Sequence, residues 1–387
     1  MSQEPPNSTA FVLSGGGARS AYQLGILKYI FAEMGYRPEA PIFVGSSAGA
    51  INAYFLSLRA HHGFSKAILD LCDIWSALTV DRIFKTDTWS VVKGVGNFVY
   101  NFTIGRYVKE RHIEAIFNTE PFYELLKNII VPEYHCMDEN IEAGRVRALG
   151  ISAMQYGTGR TITFFQTSEK SGIEPWNLPR REGRPAKLRL KHVLASAAIP
   201  LVFPSVKVEN HFYGDGSVRA TAPLSPAIHL GGSKILGIGL RTTAAQSKPI
   251  ENYPSMAQII AMMLNTVFLD SIDFDIRVME HMNELLSKLP KAEWGKHRPI
   301  DALLIHPSED LGLLSLPYKE DVPSTLKFLM KGLGPTDQRG ADFISYVLFD
   351  KHYIRALIDK GFQDAHHQKE ILHYFLNQST PKIKALP

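Results

Sequence analysis

The sequence predicts an α/β fold built on a largely parallel central sheet, and three observations carry that reading. Two segments repeat one scheme of apolar run, glycine-rich corner and helical pattern: "TAFVLSGGGARSAYQLGILKYIFAEMG" (9–35) and "APIFVGSSAGAINAYFLSLRA" (40–60). Four further apolar runs suit buried strands, "VRALGISAM" (146–154), "TITFFQ" (161–166), "KILGIGL" (234–240) and "DALLIH" (301–306). Helical patterns lie between several of them, and buried strands alternating with helices define a sheet covered on both faces.

Each element has its own signal. In the first unit Leu24, Leu27, Ile30 and Phe31 recur at spacings of three and four, and Gly35 is a stop. In the second, Gly45 and Gly49 flank Ser47 on the corner between strand and helix. Beyond Pro307 the character changes: "GADFISYVLFDKHYIRALIDKG" (340–361) and "AHHQKEILHYFLNQ" (365–378) read as helices closing the chain on the core. The expected organisation is a flexible tail over 1–9, a core over 10–225 that continues through 226–310, and a helical extension over 311–387.

Composition narrows the function classes. The 387 residues are 45% hydrophobic and 21% charged, a globular rather than disordered balance. No apolar run approaches the ~18 residues of a membrane span. "MSQEPPNSTA" has neither the basic start nor the apolar stretch of a secretory signal, so a cytoplasmic location is expected, with peripheral contact to a membrane surface. Cys72 and Cys136 are too few for a disulfide scaffold and lack zinc spacing. The net charge of +4 selects no partner by itself. No nucleic-acid motif and no internal repeat is present.

Gly45-x-Ser47-x-Gly49 after a strand and before a helix is the nucleophile-elbow pattern, in which a sharp turn lifts a serine hydroxyl to a helix N-terminus. There the free amides and the helix dipole favour developing negative charge. The same five residues also occur in ordinary glycine-rich turns. "SGGGARS" (14–20) admits two readings. A dinucleotide fingerprint begins correctly at Gly15-x-Gly17, but Ser20 stands at the third glycine and no acidic residue ends a second strand at the right distance. A P-loop would need a Gly-Lys-Ser/Thr ending. The alternative is an oxyanion hole facing Ser47, since neighbouring parallel strands end on the same side, and this reading is preferred because Ser47 is there.

A serine hydroxyl needs a base. His192, His211, His229 and His306 lie downstream, but none sits in a glycine-framed loop after a convincing strand. In "ENHFYGDGSVRATAPLSPAI" (209–228), Asp215 stands between Gly214 and Gly216 at the end of an apolar-aromatic run. Taken locally, Asp-Gly is first a type I′ hairpin signal.

The order of motifs changes that weighting. A GGGxR loop, then GxSxG, then ASxAxPxxFP ("ASAAIPLVFP", 195–204), then Asp-Gly resembles the patatin-like phospholipase family over residues 10 to 225. The resemblance implies an α/β/α sandwich and a serine–aspartate dyad working without histidine. Residue by residue, Ser47 matches the nucleophile and Asp215 its partner. The amides of Gly16 and Gly17 match the oxyanion-hole donors, with Gly15 and the Ala48 amide close by. Arg19 matches the basic residue of the glycine loop, for loop order or for binding a substrate phosphate. Pro200 and Pro204 belong to a site wall. No cofactor or catalytic metal is implied. Ser14 and Ser20 depart from the family's usual Asp and Gly, and Ser217 stands where a smaller residue is frequent.

The implied reaction is hydrolysis of an acyl ester lipid, as by a phospholipase A or lysophospholipase, through an acyl-serine. A serine esterase or thioesterase on soluble acyl substrates and a silent lipid-binding module are the alternatives. An aspartate at its ordinary pKa of ~3.9 is a poor base, so desolvation has to raise it or proton transfer has to be coupled to attack. Two further segments bear on substrate access. "TWSVVKGVGNFVYNF" (88–102) carries a helical apolar stripe that suits a core-facing helix or a lid against lipid. Arg180, Arg181, Arg184, Lys187, Arg189 and Lys191 form a basic cluster that suits a solvated loop or anionic head groups.

Overall fold

The strands of the computed structural model join one ten-stranded sheet. The described residues are 8–85, 118–200, 202–219, 222–242, 271–321 and 341–378, with isolated positions between 253 and 266. The strands are β1 (Ser8–Leu13), β2 (Ile42–Ser46), β3 (Ala148–Gln155), β4 (Arg160–Thr167), β5 (Trp176–Leu178), β6 (Arg181–Pro185), β7 (Val206–Val208), β8 (His211–Asp215), β9 (Gly232–Ile238) and β10 (Asp301–Ile305). The helices are α1 (Ala21–Lys28), α2 (Ala48–Leu58), α3 (Phe64–Ser76), α4 (Val80–Ile83), α5 (Glu120–Ile130), α6 (Tyr134–Glu142), α7 (Leu190–Ser196), α8 (Ser225–His229), α9 (Ser271–Ser287), α10 (Ala341–Val347), α11 (Lys351–His367) and α12 (Lys369–Asn377).

The sheet runs β10-β9-β1-β2-β3-β4-β6-β5, and its first five strands are mutually parallel. β4 turns back antiparallel on β3. The six strands expected from apolar runs are all present, with ends shifted by up to two residues. Helices cover both faces, which explains why β1 and β2 read as continuous apolar runs. Phe11, Leu13 and Phe43 point into one core, while Ala10, Val12, Ile42 and Val44 point into the other.

The closing helices pack on the core through α1. A side chain at Gly25 would come within 1.9 Å of the Ile358 carbonyl oxygen, and one at Gly361 within 2.1 Å of that of Tyr22. The crossing of α1 and α11 therefore requires glycine on both helices. Lys234, buried in β9, donates to the carbonyl oxygens of Phe375 (3.0 Å) and Gln378 and so ties down the end of α12. Among the described residues, no helix is long and apolar enough to cross a membrane.

Candidate functional site

β2 ends at Ser46 and α2 begins at Ala48, so Ser47 alone makes the corner. Its φ of 53° with ψ of −131° is a strained conformation for a side-chain-bearing residue, of order 1–3 kcal/mol. The surrounding contacts hold it there. A Cβ at Gly45 would sit 2.5 Å from the Gly49 carbonyl oxygen, and one at Gly49 only 2.1 Å from that of Leu13. Both glycines are thus required where the corner crosses itself and the end of β1. The Ser47 N–H donates to Ser196 Oγ (3.0 Å), whose hydroxyl donates to the Ser152 carbonyl of β3 (2.6 Å).

The glycine loop leaves β1 at Leu13 and enters α1 through a 3-10 turn at Gly17–Ser20. Because β1 and β2 are parallel neighbours, this corner and the serine corner lie at the same end of the sheet. Gly17 has φ +56°, and a Cβ there would fall 2.1 Å from the Tyr346 carbonyl oxygen. Gly15, Gly16, Gly17, Ser47 and Ala48 are all buried. Ser14 Oγ donates to the Ile238 carbonyl (3.2 Å), and its carbonyl accepts from Gln23 Nε2 (2.7 Å). Asn52 of α2 donates to Gln23 Oε1 (3.1 Å), so a buried amide pair ties the two corners together.

Arg19 does not reach into the cavity. Its side chain is 3% exposed, and Nη2 pairs with Asp342 Oδ1 at 2.7 Å while Nε donates to Ser345 Oγ at 2.6 Å. The guanidinium lies 4.3 Å from the centre of the Tyr346 ring. Burial works to lower its pKa, but Tyr346 and Asp342 outweigh that and hold it above the ordinary value.

Asp215 arrives by register. β3 pairs with β2 up to Ser46↔Ser152, and β8 takes over the same edge with Asp215↔Ala153. The carboxylate therefore enters the sheet at the point where β2 turns away into Ser47. Its N–H donates to the Ala198 carbonyl (2.8 Å), and its Oδ1 accepts from the Ser217 N–H (2.8 Å). Oδ2 is buried with no partner at hydrogen-bond geometry. The nearby Ser47 hydroxyl favours the charged form of the carboxylate. Burial pushes the Asp215 pKa up to about 7, against the opposing pull of Ser47 and of the Ser217 amide and hydroxyl.

The local hairpin reading of Asp215-Gly216 is corrected here. β8 ends at Asp215 and runs into a 3-10 turn at Gly216–Arg219, while the hairpin is the preceding β7–β8 pair. Gly216 is needed for close approach, since a Cβ would lie 1.9 Å from the Ser152 carbonyl oxygen. Ser217, a departure from the family pattern, donates to Ser46 Oγ (3.0 Å) and braces the corner.

Three of the four histidines are engaged elsewhere. His192 Nδ1 accepts from the Arg189 N–H (3.0 Å), and burial pushes its pKa down to about 4. His229 stacks on Trp176, and His306 lies between Asp273 Oδ1 and the Arg241 carbonyl, 3.1 Å from each. His211 is exposed at the start of β8. Among the described residues, none lines the cavity at Ser47.

That cavity opens beside Ser47, Ala48 and Gly17. Its other described walls are apolar or aromatic, including Phe55, Trp75, Phe84, Phe122, Phe203 and Tyr346. The stripe over 88–102 lies outside the described residues. The basic cluster is spread over the β5–β6 turn (Arg180), β6 (Arg181 and Arg184), the connection that follows it (Lys187 and Arg189) and the first turn of α7 (Lys191). Arg184 pairs with Glu182 (2.8 Å) and Arg189 with Asp138 (3.1 Å), leaving Arg180, Lys187 and Lys191 exposed. No group of three or more His, Cys, Asp or Glu side chains among the described residues is arranged to hold a metal ion.

Fold and site together define an α/β protein with a serine on a strained strand-to-helix elbow, a glycine loop beside it and a buried aspartate behind it. The model of the patatin-like phospholipase family matches residues 11–228, more than half of the chain, and the chain belongs to that family. It is 24% identical to a probable lipid hydrolase, 463L, of Invertebrate iridescent virus 6, over 59% of this chain and 66% of that protein's length. It is also similar to the crystal structure of VipD from Legionella pneumophila, at 12% identity and a TM-score of 0.36, covering 96% of this chain and 67% of that one.

Proposed function

We propose that this protein is a serine lipid acyl hydrolase of the phospholipase A or lysophospholipase type, with Ser47 as nucleophile and Asp215 as its only side-chain base. The observation that carries the reading is the placement of a fully buried carboxylate, with its pKa pushed up to about 7, at the elbow bearing Ser47. A base tuned near neutrality is effective in general-base catalysis at physiological pH. The strained conformation of Ser47 fits a functional corner, as strained residues cluster at active sites and ligand clamps.

In the mechanism, Asp215 accepts the hydroxyl proton as Ser47 Oγ attacks the ester carbonyl. The amides of Gly16 and Gly17, with Gly15 and Ala48 nearby, hold the oxyanion, and each such donor typically lowers the barrier by ~3 kcal/mol. Collapse of the tetrahedral intermediate expels the alcohol, which takes the proton from Asp215. Water then attacks the acyl-serine with Asp215 again as base, and the fatty acid leaves with Ser47 restored. The apolar walls suit the acyl chain, each buried methylene contributing ~0.8 kcal/mol to binding. Arg19 is assigned to loop order rather than to a substrate phosphate.

Lipid-product analysis tests this directly. Incubation with vesicles of mixed phospholipids is expected to release free fatty acid and lysophospholipid, and Ser47→Ala is expected to release neither. Hydrolysis of soluble acyl esters or thioesters without any action on vesicles would replace the phospholipase reading by the esterase one.

A further inference from the structure

The family match ends at residue 228, yet α10, more than a hundred residues beyond it, is built into the glycine loop. Both Nε and Nη2 of the buried Arg19 guanidinium are spent on this helix. Nε donates to Ser345 Oγ (2.6 Å), and Nη2 donates to the Asp342 carboxylate (2.7 Å) and carbonyl (3.1 Å). Ser345 is fully buried and its hydroxyl donates in turn to the Asp342 carbonyl (2.6 Å), so its oxygen is aimed at Arg19. Asn265 closes the circuit, donating to Asp342 Oδ2 (3.3 Å) and accepting from the Tyr346 hydroxyl (2.8 Å).

The other end of the linkage is the oxyanion loop itself. The Arg19 N–H donates to the Gly16 carbonyl (3.2 Å), closing the turn that carries Gly17. The Tyr346 carbonyl packs where a Gly17 side chain would be. Tyr346 and Val347 also line the cavity beside Ser47. Arg19 thus joins α10, through its side chain, to the turn that carries Gly16 and Gly17, through its backbone N–H.

We infer that Asp342 and Ser345 are positioning residues, and that α10, acting through Arg19, holds the Gly16 and Gly17 amides in line with Ser47. This rests on the serine hydrolase reading above. Displacing oriented groups by about 1 Å costs up to ~100-fold in rate.

The test uses the full chain, with Ser345→Ala and Asp342→Asn assayed on a short p-nitrophenyl ester. In each folded variant kcat is expected to fall roughly tenfold to a hundredfold while KM stays within about twofold. The rate of covalent labelling by a fluorophosphonate is expected to fall by the same factor. Ser345→Ala removes a single oxygen, so its melting temperature separates this effect from unfolding, and Asp342→Asn repeats the test with the side-chain shape kept. Folded variants with wild-type kcat, or with losses confined to KM, would overturn the inference. Ser47→Ala run alongside separates the two claims. Activity retained there sinks the serine reading, whereas activity retained only in the α10 variants sinks the positioning role alone.

Discussion

Asp215 joins the sheet where Ser46 leaves it. The two residues face consecutive positions of β3, Ser46 opposite Ser152 and Asp215 opposite Ala153. One strand edge therefore sets the spacing between the serine corner and the carboxylate. Ser196 clamps the arrangement, accepting from the Ser47 N–H while donating to the Ser152 carbonyl.

Activity is expected to follow the ionisation of Asp215. A base works when deprotonated, so with its pKa pushed up to about 7, kcat/KM should climb with pH through that value and level off above it. A profile already flat from pH 5 upward would mean that the base keeps an ordinary carboxylate pKa.

Stability should run the opposite way. The folded pKa of Asp215 is raised above its unfolded value of ~3.9, so its contribution is fully present below about pH 4 and is lost as pH rises through about 7. Asp215→Asn removes this dependence. Its melting temperature relative to wild type should improve from pH 5 to pH 8, by the equivalent of a few kcal/mol, on the order of ~3. A stability difference independent of pH would show that the carboxylate is not held neutral by burial.

Ser196→Ala should cost about 1–3 kcal/mol, because it leaves a buried amide donor and a buried carbonyl without their partner. It should also lower kcat, since the strained corner at Ser47 loses its clamp. Chemical denaturation and steady-state kinetics together check both, and a neutral result in each would show that Ser196 braces neither the fold nor the corner.

Gly49→Ala tests the close crossing under the elbow. The added methyl would sit 2.1 Å from the Leu13 carbonyl oxygen, which is backbone and cannot swing away. The expected outcome is loss of soluble folded protein or a melting temperature far below wild type. Gly35→Ala meets no atom within 4 Å but has φ +67°, so its smaller penalty should come from backbone strain alone.

The parallel strands and both glycine corners were legible because their signals are local: apolar runs buried on two faces, and glycines where no Cβ fits. The shorter strands were not. β6 reads Arg-Glu-Gly-Arg-Pro and carries no apolar alternation, and β7 is three residues long. At the site, Ser47 and Asp215 were legible from motif order, whereas the work of Ser196 was hidden inside a motif credited for its prolines. Gln23 and Asn52 gave no signal at all, because a buried amide pair looks in sequence like two polar helix residues. The Arg19–Asp342 pair joins positions 323 apart, and no pattern in a single sequence reports such a contact.

Covalent labelling identifies the nucleophile and shows whether Asp215 activates it. After reaction with a fluorophosphonate, peptide mass spectrometry should find the adduct on Ser47 in the wild-type protein and no adduct in Ser47→Ala. In Asp215→Asn the labelling rate should drop at least about tenfold, since a general base typically contributes 10²–10⁴ in rate. An adduct on another residue, or wild-type labelling of Asp215→Asn, would contradict the assignment of Ser47 and Asp215 as one catalytic unit.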